Sequence, residues 1–98
     1  MIDLIQNIDE LAGITRQLAR KAAHQYATEV DAILKLRSRD SRRIEKCLDG
    51  MLNFCFDDNM LMLYRKLCRY YYNIDPKATA SYVHFYQEMW DEQKSESG

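Results

Sequence analysis

Apolar residues recur every three or four positions along most of the chain, a spacing that places them on one face of an α-helix. In the first segment this face keeps its phase from Leu4 to Leu34, which predicts one long helix over roughly Asp3 to Arg37. The face comprises Leu4, Ile8, Leu11, Thr15, Leu18, Ala19, Ala22, Tyr26, Val30, Ile33 and Leu34. Gly13 lies on the opposite side, where it weakens the helix by up to about 1 kcal/mol without opening a gap in the apolar face.

Three shorter helices follow, each introduced by a residue whose side chain accepts hydrogen bonds from the first amides of a helix. Asp40 or Ser41 opens the second, an Asp in the break at 56–59 opens the third, and Asp75 opens the fourth. Pro76 takes the first position of the fourth helix, where a missing N–H costs nothing. With only three glycines and one proline, the chain has too few turn residues for a β-protein. We expect an all-α, four-helix bundle-like domain over residues 1–92, with a disordered tail at 93–98.

The third helix, Met60 to Ile74, contains three adjacent tyrosines in the stretch RYYYNIDP. At 100° per residue, Tyr71 falls in the middle of the apolar arc, whereas Tyr70 and Tyr72 fall on its two borders. The borders leave each of these hydroxyls access to water. The pattern predicts that Tyr71 belongs to the core.

The lengths of the predicted helices do not match. The first would measure roughly 50 Å and each of the others roughly 22 to 27 Å, so one short helix cannot cover the first. Either different elements cover its two halves in a monomer, or its apolar face pairs with a second copy of the chain. Small residues that allow close helix approach favour a dimer: Ala12, Ala19, Ala22, Ala23 and Ala27.

Composition narrows the function classes. Fourteen Lys and Arg against fifteen Asp and Glu create no global field that would draw the protein to nucleic acid or an acidic membrane. The start, MIDLIQNIDE, has neither a basic region nor an apolar run, so we expect no signal peptide, no membrane span and a cytoplasmic location. The cysteines fit neither a disulfide framework nor a CxxC zinc site and are expected as reduced core thiols: Cys47, Cys55 and Cys68.

Charge concentrates between the first two helices. Six cations of this segment, here named the basic joint, are Lys35, Arg37, Arg39, Arg42, Arg43 and Lys46. Arg42 and Arg43 occupy the first turn of a helix, where the helix dipole disfavours positive charge. One interpretation is an anion site for a nucleic-acid backbone or an acidic protein surface. The other is a solvated joint whose arginines pair with Asp40, Glu45 or Asp49.

Aromatic residues concentrate in the fourth helix and can line a peptide groove between the last two helices: Tyr82, Phe85, Tyr86 and Trp90. The alternative is a core rich in tyrosine and methionine. A helix-turn-helix role does not fit, because the third helix opens with Asn59 and apolar residues where a recognition helix presents polar ones.

Catalytic motifs are absent from the sequence: there is no Gly-rich phosphate loop, GxSxG or HExxH. His84 and Glu88, one turn apart, offer two metal ligands without a second pair elsewhere, which favours a surface contact. We therefore expect neither an enzyme, a cofactor, a metal nor a small-molecule substrate, although a site built by oligomerisation keeps enzyme function open.

The run CLDGMLNFCFDDNMLMLYRKLCRYYYNIDPKATASYVHFYQEMWDE, roughly the C-terminal half, resembles small bacterial proteins of the gut that conjugative or other mobile elements carry. The resemblance implies an accessory intracellular role and assigns no activity to any residue. The leading hypothesis is a small non-enzymatic protein-interaction module or regulator. Its alternative is a nucleic-acid-associated accessory protein that uses the basic joint.

Overall fold

The computed structural model describes residues 4–91 and contains only helices over this range. They are α1 Leu4–Lys35, α2 Ser41–Leu52, α3 Asp58–Tyr72 and α4 Pro76–Tyr86, the last continuing as a π-helical turn over Gln87–Asp91. The predicted all-α architecture, with one long helix followed by three shorter ones, is confirmed. The tail at 93–98, predicted to be disordered, lies outside the described residues.

An aspartate caps the start of each of the three shorter helices, as the sequence predicts. The side chains of Asp40, Asp57 and Asp75 accept hydrogen bonds from backbone amides two or three positions further on, at 3.0 to 3.3 Å. Pro76 occupies the first turn of α4. Each cap satisfies amides that lack a partner within their own helix, so these starts are set by local chemistry.

The end of α1 uses a left-handed residue. Arg37 has φ of 50°. The amide of Ser38 donates to the carbonyl of Ile33 at 3.0 Å and the amide of Arg37 donates to Leu34 at 3.2 Å, which together form a Schellman motif. This position favours glycine, because the left-handed conformation costs other residues about 1 to 2 kcal/mol. The sharp reversal turns α2 back along α1.

Contacts fix the direction in which α2 runs. Near its start, Arg43 Nε lies 2.7 Å from Glu29 Oε1 of α1. Two turns later, Gly50 lies directly against the ring of Tyr26. Increasing numbers on α2 thus meet decreasing numbers on α1, so the two helices are antiparallel.

In contrast, α3 runs parallel to α1. Lys66 Nζ lies 3.9 Å from Asp31 Oδ1, and one turn later the hydroxyl of Tyr70 donates to the carbonyl of Ser38 at 2.7 Å. Tyr70, on one border of the apolar arc, is half-buried, and its hydroxyl is engaged by the Ser38 carbonyl. Tyr72, on the other border, is exposed as predicted.

The fourth helix folds back on α3. The hydroxyl of Tyr64 donates to the carbonyl of Tyr82 at 2.7 Å, and the rings of Tyr64 and Tyr86 lie 6.2 Å apart. At the end of the π-helical turn, Trp90 Nε1 donates to the carbonyl of Leu52 at 2.9 Å. The end of α4 therefore lies beside the end of α2.

Tyr71 lies at the centre of the core and is 0 % exposed, which confirms its predicted burial. Its hydroxyl donates to the Glu45 carboxylate of α2, and one turn along, Asp49 accepts a hydrogen bond from the Tyr82 hydroxyl at 2.8 Å. Two carboxylates on one helix thus join α2 to α3 and to α4. The other large side chains that are fully buried are Val30, Ile33, Ile44, Leu48, Met51, Met60 and Leu67.

Candidate interaction surfaces

The N-terminal half of α1 extends beyond the other helices. We name residues 8–18 the overhang. From Ile8 onward, the first buried residue of α1 is Ala19. Gly50 of α2 meets α1 at Tyr26, and a groove beside the start of α3 is lined by Arg20 and Ala23. The bundle therefore ends near Ala19, and none of the described residues covers the overhang.

An apolar stripe runs along the overhang and consists of Ile8, Leu11, Ile14 and Leu18. Their exposed fractions are 63 %, 60 %, 52 % and 55 %. Three of them belong to the face whose continuation, with Val30 and Ile33, is fully buried inside the bundle. The same sequence pattern is thus core in one half of α1 and surface in the other, because the short helices reach only part of its length.

Ile14 extends the predicted apolar face. It lies three residues after Leu11 and four before Leu18, so i, i+3 and i+4 spacing identifies it as their neighbour on the helix surface. It adds a fourth large side chain beside the face that the sequence pattern assigns to Leu11 and Leu18.

Charges on the overhang change sign along its length. Asp9 and Glu10 lie near its start, whereas Arg16 lies near its end and is followed by Arg20 and Lys21. All five are exposed. The overhang therefore presents an apolar stripe with an acidic end and a basic end.

In the basic joint, Arg43 pairs with Glu29 of α1, a partner 14 residues earlier in the chain. The hydrogen bond from this guanidinium lowers the pKa of Glu29. The three carboxylates that the sequence suggested as partners are engaged otherwise: Asp40 caps α2, Glu45 accepts from Tyr71 and Asp49 accepts from Tyr82. The interpretation that paired these arginines with Asp40, Glu45 or Asp49 was therefore wrong for Arg43, whose partner is Glu29.

The other five cations of the basic joint are exposed and form no ion pair within residues 4–91: Lys35, Arg37, Arg39, Arg42 and Lys46. Arg37 and Arg39 line a groove of about 510 Å³ together with Tyr70 and Asn73 from the end of α3. Fold geometry thus brings part of the basic joint against α3, which the sequence did not predict.

The four aromatic residues predicted for a peptide groove have different surroundings in the described structure. Tyr82 is 7 % exposed and belongs to the core. Tyr86 lines a groove between α3 and α4, whereas Phe85 lines a separate groove with Leu52. Trp90 packs against Phe56 with ring centroids 5.7 Å apart.

Groups with catalytic or metal-binding potential are few. His84 Nε2 lies 2.8 Å from Glu88 Oε1 on the surface, the contact expected from their spacing. The part of the chain that the structure describes has no group of three or more His, Cys, Asp or Glu side chains placed to hold a metal ion. Burial raises the pKa of the Cys47 and Cys55 thiols to about 12 and that of Cys68 to about 11, so they remain protonated and weakly nucleophilic at neutral pH.

Among residues 4–91, no helix has both the length and the apolar character that a membrane crossing requires. Comparison with protein-family models, with curated proteins and with solved structures finds no match. The interaction surfaces are therefore weighed by their own geometry and chemistry.

Proposed function

We propose that the protein is a small non-enzymatic interaction module that binds a protein partner through the apolar stripe of its overhang. The observation that carries this proposal is the exposure of four large aliphatic side chains on consecutive turns of one helix. We propose the cytoplasm as its location.

Exposure of this stripe is unfavourable in water. A surface of four large side chains, each more than half exposed, reaches on the order of 400 Å², which is in the range of patches that mark interaction sites on soluble proteins. An amphipathic helix with anchors at i, i+3 and i+7 is a common means of docking on a protein partner. The stripe offers this spacing at Leu11, Ile14 and Leu18.

Photo-cross-linking at single positions tests this proposal. A benzophenone amino acid at Leu11 should capture a protein in an extract of the native host, since this side chain lies within the stripe. The same group at Asp9, which is exposed on the opposite side of the overhang, is the matched control and should capture little. Equal yields from both positions, or no adduct from Leu11, would contradict the proposal.

Nucleic-acid binding by the basic joint is a second candidate. Its support is the set of five exposed cations without an ion pair in the described range, two of which line one groove. Arg37 adds a further reason, because an arginine stands where the backbone favours glycine. A residue kept at a local cost in stability is a reasonable candidate for a functional contact.

Arg37→Gly separates stability from function in this second candidate. The substitution should raise the free energy of unfolding by roughly 1 kcal/mol, because glycine adopts the left-handed conformation without a steric penalty. If the basic joint binds phosphate, the same variant should bind short duplex DNA more weakly, with a salt dependence reduced by about one counterion. Arg65→Gln, which removes a charge from α3, is the control for net charge. DNA binding that is absent, or equal in all three proteins, would eliminate this candidate.

A further inference from the structure

We infer that the partner that covers the apolar stripe is a second copy of this chain, with the two overhangs packed antiparallel about a twofold axis near Gly13. This inference rests on the proposed function and names its partner. The same stripe then occupies both sides of one closed interface, so no apolar surface of either overhang is left without a partner.

The spacing of the stripe fits an antiparallel helix pair. Leu11 and Leu18 are seven residues apart, as are Ile8 and Thr15, which gives two positions of a heptad repeat. In an antiparallel pair centred on Gly13, a residue that precedes Gly13 in one helix lies level with the residue that follows Gly13 by the same number of positions in the other helix. The facing pairs are then Ile8 with Leu18 and Leu11 with Thr15.

The facing pairs also complement each other in size. Ile8 meets Leu18, and Leu11 meets Thr15, whose smaller side chain leaves room for the leucine. Gly13 lies at the centre of this register on the outward side, where a Cβ would meet no atom within 4 Å.

Charge distribution distinguishes the two possible orientations. In the antiparallel register, Glu10 of one copy is level with Arg16 of the other, and the acidic start of each overhang lies beside the basic end of its partner. A parallel pair would place Glu10 beside Glu10 and Arg16 beside Arg16. Like charges at the same level repel, so the charge pattern favours the antiparallel pair.

The available length sets the extent of the interface. The paired segment runs from Ile8 to Leu18 and measures about 16 Å, and the bundle that begins at Ala19 prevents pairing from continuing beyond it. Both stripes together bury on the order of 800 Å² of apolar surface, which is below the range of stable specific interfaces and corresponds to a weak, transient one. We therefore expect a reversible dimer with a dissociation constant of about 10 to 100 µM.

Light scattering over a range of about 5 to 500 µM tests for self-association. The mass should rise from the 11.7 kDa of one chain towards twice that value as concentration increases. Leu11→Gln with Leu18→Gln should keep the monomer mass throughout and retain the fold, because both side chains are exposed. The matched control, Leu36→Gln with Met62→Gln, removes two aliphatic side chains that are 72 % and 68 % exposed outside the stripe and should dimerise like the unaltered protein.

Disulfide cross-linking tests the register. Leu11→Cys and Thr15→Cys proteins, mixed and mildly oxidised, should form a mixed dimer in much higher yield than either forms with itself. A parallel pair would instead favour Leu11→Cys with itself. The unaltered protein is the control, since its three cysteines are buried and should not cross-link.

The outcomes separate this inference from the proposed function. A monomer mass at every concentration, or self-cross-linking of Leu11→Cys without the mixed product, would overturn the antiparallel dimer. If the photo-reactive group at Leu11 then captures a different protein, the interaction module stands and only the identity of its partner is wrong. If it captures nothing, both proposals fail.

Discussion

Tyr71→Ala should lower the free energy of unfolding by about 3 to 5 kcal/mol, the range found when a buried aromatic side chain is removed. Tyr71 is 0 % exposed and lies where α3 packs against the rest of the bundle. Its removal leaves a cavity and deprives the Glu45 carboxylate of its hydrogen-bond donor. Chemical denaturation monitored by circular dichroism measures the loss.

Tyr71→Phe is the matched control for this prediction. It keeps the ring and removes only the hydroxyl, so the loss should be about 0.5 to 1.5 kcal/mol. Tyr72→Ala, on the exposed neighbour, should change stability little. A loss below about 1 kcal/mol for Tyr71→Ala would mean that this ring is not central to the core.

Gly50→Ala should lower the free energy of unfolding by about 1 to 3 kcal/mol, the opposite of the usual effect of alanine in a helix. A Cβ at this position would overlap the Tyr26 hydroxyl and would lie 2.7 Å from Tyr26 Cζ. The Tyr26 side chain must therefore move out of its place between the helices, or α2 must separate from α1. Thermal and denaturant unfolding of the variant would measure this cost.

Two further variants make the cause of this effect testable. Gly13→Ala makes the same chemical change where a Cβ meets no atom within 4 Å, and it should raise stability by up to about 1 kcal/mol. Tyr26→Phe removes the oxygen that overlaps the new methyl group, so Gly50→Ala should cost less in that background. Equal effects of alanine at both glycines would show that α2 does not approach α1 closely at Gly50.

Local chemistry explains why the helices were predictable. An aspartate before a helix, a proline in its first turn and an apolar residue every three or four positions act over a few neighbouring residues. The sequence therefore predicts correctly that Asp40 and Asp75 cap their helices and that Tyr71 is buried. The contact between His84 and Glu88 belongs to the same class, because it spans a single helical turn.

Contacts between residues that are far apart in the sequence could not be predicted in the same way. Arg43 pairs with Glu29 and the Tyr70 hydroxyl donates to Ser38, contacts that span 14 and 32 residues. Both depend on how the helices are packed together, which helical periodicity does not specify. Helical periodicity also did not predict the surroundings of the aromatic residues of α4. Tyr82 faces the core, whereas Phe85 and Tyr86 line different grooves.

The sequence by itself determined four helices, their order, most of their caps and the face that each one buries, because these properties depend on neighbours within one or two turns. Only the tertiary structure decided where α1 ceases to be covered. Its apolar face keeps one phase throughout, and the change from core at Val30 to surface at Leu18 arises because the shorter helices end near Ala19. The candidate interaction surface exists because one helix is longer than the bundle that forms around it.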